Sequence, residues 1–324
     1  MKKILLLDTA FASFNKGDDI IMECTRKELS PLFKNNFELN LPTHIAPFHW
    51  YQVWKNSLAY QQYAKCQLKF VGGSNVLVPN LLTHYAQWNI NIFNFQAFKG
   101  LIMVGVGAGA GAENGSNLYT RYIYQHMLNR DYYHSARDER SKIYMESLGL
   151  KAINTGCVTM WMLTPEHCAL IPDTKAEKCV FTITAGCFDE RDQQMVDTLL
   201  HNYKDVYFWP QGIDDFDQFQ KLKNKERVHV LQANKEAYQK YLTDNDTDYV
   251  GTRLHGGVYA MRHKRRAVII AIDERARAIN DRNHLNCIEK NQISELESLL
   301  NSKIKTTITM PFDDIRRWKK QFDI

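Results

Sequence analysis

Asp248-Tyr249-Val250-Gly251-Thr252-Arg253-Leu254-His255-Gly256-Gly257-Val258-Tyr259-Ala260-Met261 is the stretch on which the reading of the fold turns. Tyr249 and Val250 read as a short strand, and Val258, Ala260 and Met261 as a helix with an apolar period. The glycines are read as the turn between them. A strand entering a helix through such a turn leaves backbone N–H groups at the positive end of the helix dipole, which suits an anion. Arg253 brings an always-charged fork to that turn, and His255 a group that moves protons near neutral pH. The next strand follows at once in Arg266-Ala267-Val268-Ile269-Ile270-Ala271-Ile272 and closes on Asp273-Glu274-Arg275. The result is a βαβ unit with polar groups at the carboxyl ends of its strands, where open α/β sheets hold ligands. An isolated Arg-x-His is more simply a surface ion pair and a capping residue. The adjacent glycines and the trailing Asp273 and Arg275 favour a site.

Outward from this unit, strand–helix alternation extends over the second half of the chain: strands at 180–184, 206–209 and 228–231, with helices at 189–203 and 235–243. Residues 164–178 are polar, contain Pro165 and Pro172, and read as a linker. The 324 residues suit two α/β domains, 1–170 and 171–324. In the first, Ile4-Leu5-Leu6-Leu7 reads as a buried strand, because the apolar run stops at Asp8, too soon for a signal peptide or membrane span. Asn15-Lys16-Gly17-Asp18 follows, leading into a helix. Asn15, Gly17 and Asp18 are either a binding loop or a plain N-cap by Asp18, and the spacing does not choose. Strands at 68–71 and 100–106 end in Gly72-Gly73-Ser74-Asn75 and Gly107-Ala108-Gly109-Ala110-Gly111, places where backbone comes close to a ligand or another element. Arg137 precedes a helix stopped by Gly149, and either points into a site or pairs with Asp138 at the surface.

The aromatic-rich interval 36–65 reads equally as a sugar-binding surface or as core. The tail places Ile315, Trp318 and Phe322 on one helical face. Packing back on the N-terminal domain is the preferred reading, and peripheral membrane contact the alternative. A net charge of +5, with 41 basic and 36 acidic residues, tolerates an anionic substrate but does not argue for nucleic acid. The seven cysteines include no Cys-x-x-Cys pair and read as reduced thiols of a cytoplasmic protein. No His/Asp/Glu cluster has metal-ligand spacing, and no cofactor is expected.

In this order and spacing, Asn15-x-Gly17-Asp18, Gly72-Gly73, Arg137-Asp138-Glu139-x-Ser141, Arg253-Leu254-His255 and Ile272-Asp273-x-Arg275 resemble the polysaccharide pyruvyl transferase family. The resemblance runs from the first strand to about residue 285. It implies two Rossmann-like domains facing a cleft, glycosyltransferase-B-like, the N-terminal one on the acceptor side and the C-terminal one on the donor side. It also implies transfer of the pyruvyl group of phosphoenolpyruvate to a saccharide acceptor, free or lipid-linked, with formation of a ketal, in the cytoplasm or at the inner face of the membrane. Under it His255 is the acid/base, and the chemistry of ketal formation adds Asp18, or another carboxylate near the cleft, to help a hydroxyl attack. Arg253, Arg275 and Arg137 hold substrate, with Asn15, Gly17, Gly72, Gly73, Leu254 and Gly256 around it. Two departures stand out. Ile272 and Arg275 occupy positions where the family has Tyr and Lys, and Ser74 closes a glycine triplet; arginine keeps the charge of lysine but not its point-like ammonium. The rival readings are a nucleotide-sugar glycosyltransferase, which shares the fold, and a non-catalytic sugar-binding scaffold.

Overall fold

The apolar run near the N-terminus is fully buried and forms β1 (Lys3–Asp8). The computed structural model describes residues 1–83 and 87–324, and the side chains of all of these but 274 and 275. Two compact units emerge. The first comprises 1–13, 21–161 and 311–324, and the second 14–20 and 162–310. The division thus differs from a single boundary at 170. Residues 14–20, a loop and the first turn of the helix Gly17–Phe33, cluster with the second unit, and the C-terminal segment with the first. Residues 162–170 also group with the second unit, where His167 Nε2 bonds Met261 O at 2.9 Å.

The first unit carries β1, β2 (Phe37–Pro42), β3 (Leu68–Gly72) and β4 (Leu101–Val104) in the order β2-β1-β3-β4, all parallel. Beyond them β5 (His134–Ala136) and β6 (Ala152–Asn154) form a parallel pair, and Val106 bridges Ala136. The sequence reading overlooked β2 because, as an edge strand, it lacks a clean apolar alternation: Phe37 and Asn40 are exposed. Gly149 ends the helix Glu139–Ser147 with φ +79°, the left-handed conformation expected of a C′ glycine. The helix Phe312–Lys320 packs within this unit. Trp318 Nε1 donates to Tyr133 O at 2.8 Å and its ring meets Trp161, while Phe322 packs edge-on against Phe70.

The second unit contains β7 (Lys178–Thr182), β8 (Asp205–Phe208), β9 (Val228–Val230), β10 (Asp248–Gly251), β11 (Ala267–Ala271) and β12 (Cys287–Glu289). Their spatial order is β12-β11-β10-β7-β8-β9, all parallel, which is the Rossmann order. The helix after β10 spans Leu254–Arg262, so Gly256 and Gly257 lie inside it and not in the turn. All nine of its residues are buried. The glycines are needed because this helix lies against the sheet: a methyl on Gly257 would come 2.8 Å from both Tyr249 Cε1 and Ile269 Cγ1. Gly251 is tighter still. Its parallel partner is Thr182, and a Cβ there would lie 2.6 Å from Thr182 O and 2.7 Å from its N, backbone atoms that cannot rotate away.

Two predictions follow from this packing. Gly251→Ala should cost about 1–3 kcal/mol of stability through forced separation of β7 and β10, read as a lower urea midpoint. In the first unit His134 is buried, Nδ1 accepting from Met103 N and Nε2 donating to Asn129 O, and burial pulls its pKa down to about 4. The unfolded chain takes up that proton near 6.5 and the folded one only near 4. Stability should therefore fall as pH drops through this window, by on the order of 3 kcal/mol, and a His134→Gln variant should show a flatter pH dependence in urea titrations.

Candidate active site

The strand order of the second unit reverses between β7 and β10, and the switch point of such a sheet opens at the carboxyl ends of these strands. There Thr182 and Tyr249 bring their hydroxyls to 2.6 Å, and Tyr249 donates to Arg253 O at 2.7 Å. With its one proton so used, Tyr249 accepts from Thr182, which in turn accepts from Arg253 N at 3.3 Å. Burial pushes the Tyr249 phenol well up, so it remains a donor at neutral pH. Thr184 and Thr252 close the same edge, hydroxyl to hydroxyl at 2.9 Å. This network fixes the backbone of Arg253 at the entry to the helix.

The Arg253 guanidinium is held as firmly. Its Nε donates to Asp215 Oδ2 at 3.0 Å and to Ile183 O at 3.2 Å, and its Nη2 donates to Asp215 Oδ1. Asp215 is wholly buried and also accepts from Gly212 N at 2.7 Å and Ala185 N at 3.1 Å. The ion pair is therefore a buried bidentate one, not a surface pair. It leaves Nη1 without a hydrogen bond among the described residues. Gly212 is part of the arrangement, since a Cβ there would overlap Arg253 Nη2.

The loop after β1 joins this cluster. Segment 14–17 pairs with 211–213: Lys16 N donates to Gln211 O at 2.8 Å, Ile213 N donates to Phe14 O at 2.9 Å, and Asn15 bridges Gly212 in antiparallel sense. Asn15 Oδ1 accepts from Gly17 N at 3.0 Å and from Gln211 Nε2 at 2.8 Å. Asn15 thus bonds the first N–H of the helix Gly17–Phe33, while Asp18 lies inside that helix, buried, and is not its N-cap. Three polar groups converge on the bare Cα of Gly17. A methyl there would sit 2.8 Å from Gln211 Nε2, 3.1 Å from Asn15 Oδ1 and 3.2 Å from His255 Nδ1. With its nitrogen committed to Asn15, Gln211 turns Oε1 the other way. That oxygen is buried and has no hydrogen-bond partner among the described residues. Leu254 and His255, in the first turn of their helix, are buried, and Gly256 gives Oε1 room, a Cβ there falling 3.0 Å away. Gln211, Asp215 and Thr182 were not found by sequence reasoning. Their one signal was position: Thr182 ends β7, and Gln211 and Asp215 lie in the segment that follows β8.

Arg137, Gly72 and Gly73 belong to the first unit, and Asp273 and Arg275 to the segment after β11 in the second. In the first unit Arg137 is buried, its Nη2 donating to Asn75 Oδ1 at 2.7 Å, and a Cβ on Gly107 would overlap its guanidinium. Asp138 caps the following helix through Ser141 N, so the pair with Arg137 is not a surface one. Gly72 and Gly73 face the helix Gly17–Phe33, where Met22, Thr25 and Ile21 occupy the space a Cβ would take. Close helix–sheet packing accounts for both. In the second unit Asp273 caps the helix Glu274–Asn283 through Ala276 N. Arg275 belongs to that helix, and its side chain lies outside what is described. Among the described residues no group of three His, Cys, Asp or Glu side chains could hold a metal ion.

Two Rossmann-like units, with an arginine and a histidine at the switch point of one, define an α/β protein of glycosyltransferase-B-like fold. The UDP-GlcNAc 2-epimerase of Methanocaldococcus jannaschii, in complex with UDP-GlcNAc and UDP, superposes with a TM-score of 0.55 at 13% identity, covering 99% of both chains. MnaA of S. aureus with UDP gives a TM-score of 0.54 at 11% identity, covering 98% of this chain and 95% of that one. A search of curated sequences finds no match. The profile of the polysaccharide pyruvyl transferases matches residues 15–274. The chain belongs to the polysaccharide pyruvyl transferase family, which makes it a transferase with a saccharide acceptor.

Asp215→Ala would leave the Arg253 guanidinium beside an emptied, buried position. Stability should fall by about 3 kcal/mol in chemical denaturation, the cost of breaking a buried ion pair; an unchanged midpoint would show that the pair contributes little.

Proposed function

We propose that the chain transfers the pyruvyl group of phosphoenolpyruvate to two hydroxyls of a saccharide, forming a ketal and releasing phosphate. The observation that carries this reading is the convergence of His255 Nδ1, Gln211 and Asn15 on Gly17, in the unit whose switch point holds Arg253 in a fixed orientation. Family membership supplies the reaction class.

Ketal formation starts with a proton delivered to the methylene carbon of the donor, which leaves C2 electron-poor. The first hydroxyl attacks C2 and loses its proton. The second attacks the same carbon, loses its proton, and phosphate leaves with the electron pair of the C2–O bond. His255 is assigned the first proton transfer, and Asp18 assists the departure of a hydroxyl proton. General acid–base groups of this kind contribute roughly 10²–10⁴-fold. Arg253 offers Nη1 to donor oxygens while Asp215 keeps the fork from turning, so little reorganisation accompanies charge development on phosphate. Arg137 and Arg275 are the further basic residues assigned to substrate. Gln211, bonded to Asn15 beside His255, is assigned to holding the loop at Gly17 in place.

The test is thermal melting with phosphoenolpyruvate, inorganic phosphate and a panel of nucleotide sugars. Phosphoenolpyruvate should raise the melting temperature of the wild type and of His255→Ala, but not of Arg253→Ala. His255→Ala should release no phosphate from donor and acceptor. A shift with nucleotide sugars alone would replace this reading with glycosyl transfer, and normal turnover by His255→Ala would remove the histidine from its role.

A further inference from the structure

Between Glu38 and Glu113 the chain carries no aspartate or glutamate, against 36 in the whole sequence. Its only lysines or arginines there are Lys55, Lys65, Lys69 and Lys99, of which Lys69 alone is buried. This interval belongs to the first unit and builds an aromatic face. The short helix Leu58–Ala64 stands on Phe48, whose ring meets Tyr60 and Tyr63 edge-on at 5.5 and 5.6 Å, and Val53 of the short helix Trp50–Trp54 packs against the same core. Their inner side is thus occupied by core packing, but among the described residues nothing covers their outer side. Trp50, Trp54 and Phe93 are 67%, 77% and 69% exposed. With Val53 and Ile92 they line a groove of about 670 Å³. The two indoles stack at 6.1 Å, and exposed Lys55 follows Trp54 directly.

We propose that this face docks the protein on a bilayer that contains anionic lipid. Contiguous apolar surface of this kind marks an interaction site. Exposed tryptophans beside Lys55, with no acidic residue in the interval, match the headgroup region of an anionic leaflet: indoles settle at that level, and a lysine near the surface is attracted to it. A second copy of the chain is a poorer occupant, because a two-fold contact would bring Lys55 of each copy to the same apolar patch with no acidic residue of the interval to pair it. Among the described residues no helix is long and apolar enough to cross a membrane, so the contact is peripheral. The proposal is independent of the roles assigned to His255 and Arg253.

The full chain would be floated with vesicles of phosphatidylcholine alone and of phosphatidylcholine mixed equally with phosphatidylglycerol. It should rise with the anionic vesicles only, less so at high salt, with a blue shift of tryptophan emission. The triple variant Trp50→Ser, Trp54→Ser, Phe93→Ser should stay at the bottom while keeping its circular dichroism and melting temperature. Lys55→Gln should weaken binding about fivefold. Three results would each overturn the proposal: no flotation of the wild type, equal flotation with neutral vesicles, or flotation of the folded triple variant. Gel filtration showing a wild-type dimer that becomes monomeric in the triple variant would assign the face to self-association and overturn it as well.

Discussion

The contact between β7 and β10 sets the geometry on which the candidate site depends. These strands are neighbours only because Gly251 presents no side chain to the backbone of Thr182. Once they are in register, the carboxyl end of one supplies Thr182 and Thr184, and that of the other Thr252 and Arg253. The hydroxyl relay through Tyr249 then ties the two ends together. A parallel sheet has no short hairpin to define such a meeting point. Close backbone approach at the reversal of strand order does so here.

Charge is distributed along the same strand in two different ways. At the start of β10, Asp248 accepts from Arg266 Nε at 3.0 Å and from Tyr203 at 2.7 Å, and Arg266 is further bonded to Leu300 O and Ser302 O. Each nitrogen of that guanidinium is hydrogen-bonded, and it serves structure. At the other end, Asp215 holds Arg253 through two nitrogens, and no hydrogen bond of the third occurs among the described residues. A satisfied cation anchors the fold, whereas an oriented cation with an open edge is suited to an anionic ligand. The residues are alike in sequence, each an arginine beside a strand, and differ only in what surrounds them.

The aromatic interval illustrates the same dependence on context. Sugar surface and core were equally compatible with its composition. In the structure Phe48, Tyr60 and Tyr63 pack inward, and Trp50 and Trp54 remain outside. Helices of five and seven residues are too short to reveal a period from which the two faces can be read. The overlooked β2 has a related cause, since an edge strand is only partly buried and its polar residues obscure the alternation.

The sequence by itself determined the α/β class, the strand–helix alternation of the second unit, and the Arg253-Leu254-His255 element, because buried parallel strands and helix entries leave local signals of apolar runs, glycines and polar ends. It also marked Asn15 and Gly17, through the motif that leads into the first helix. Only the tertiary structure grouped residues 14–20 with the second unit, 196 positions from Gln211 in the chain yet 2.8 Å away through Asn15. Only it revealed Asp215 as the partner of Arg253 and gave Gln211 a place beside His255. Those pairings join segments with no common period or spacing. They arise when strand order and helix packing close the chain on itself, and no local pattern encodes that closure.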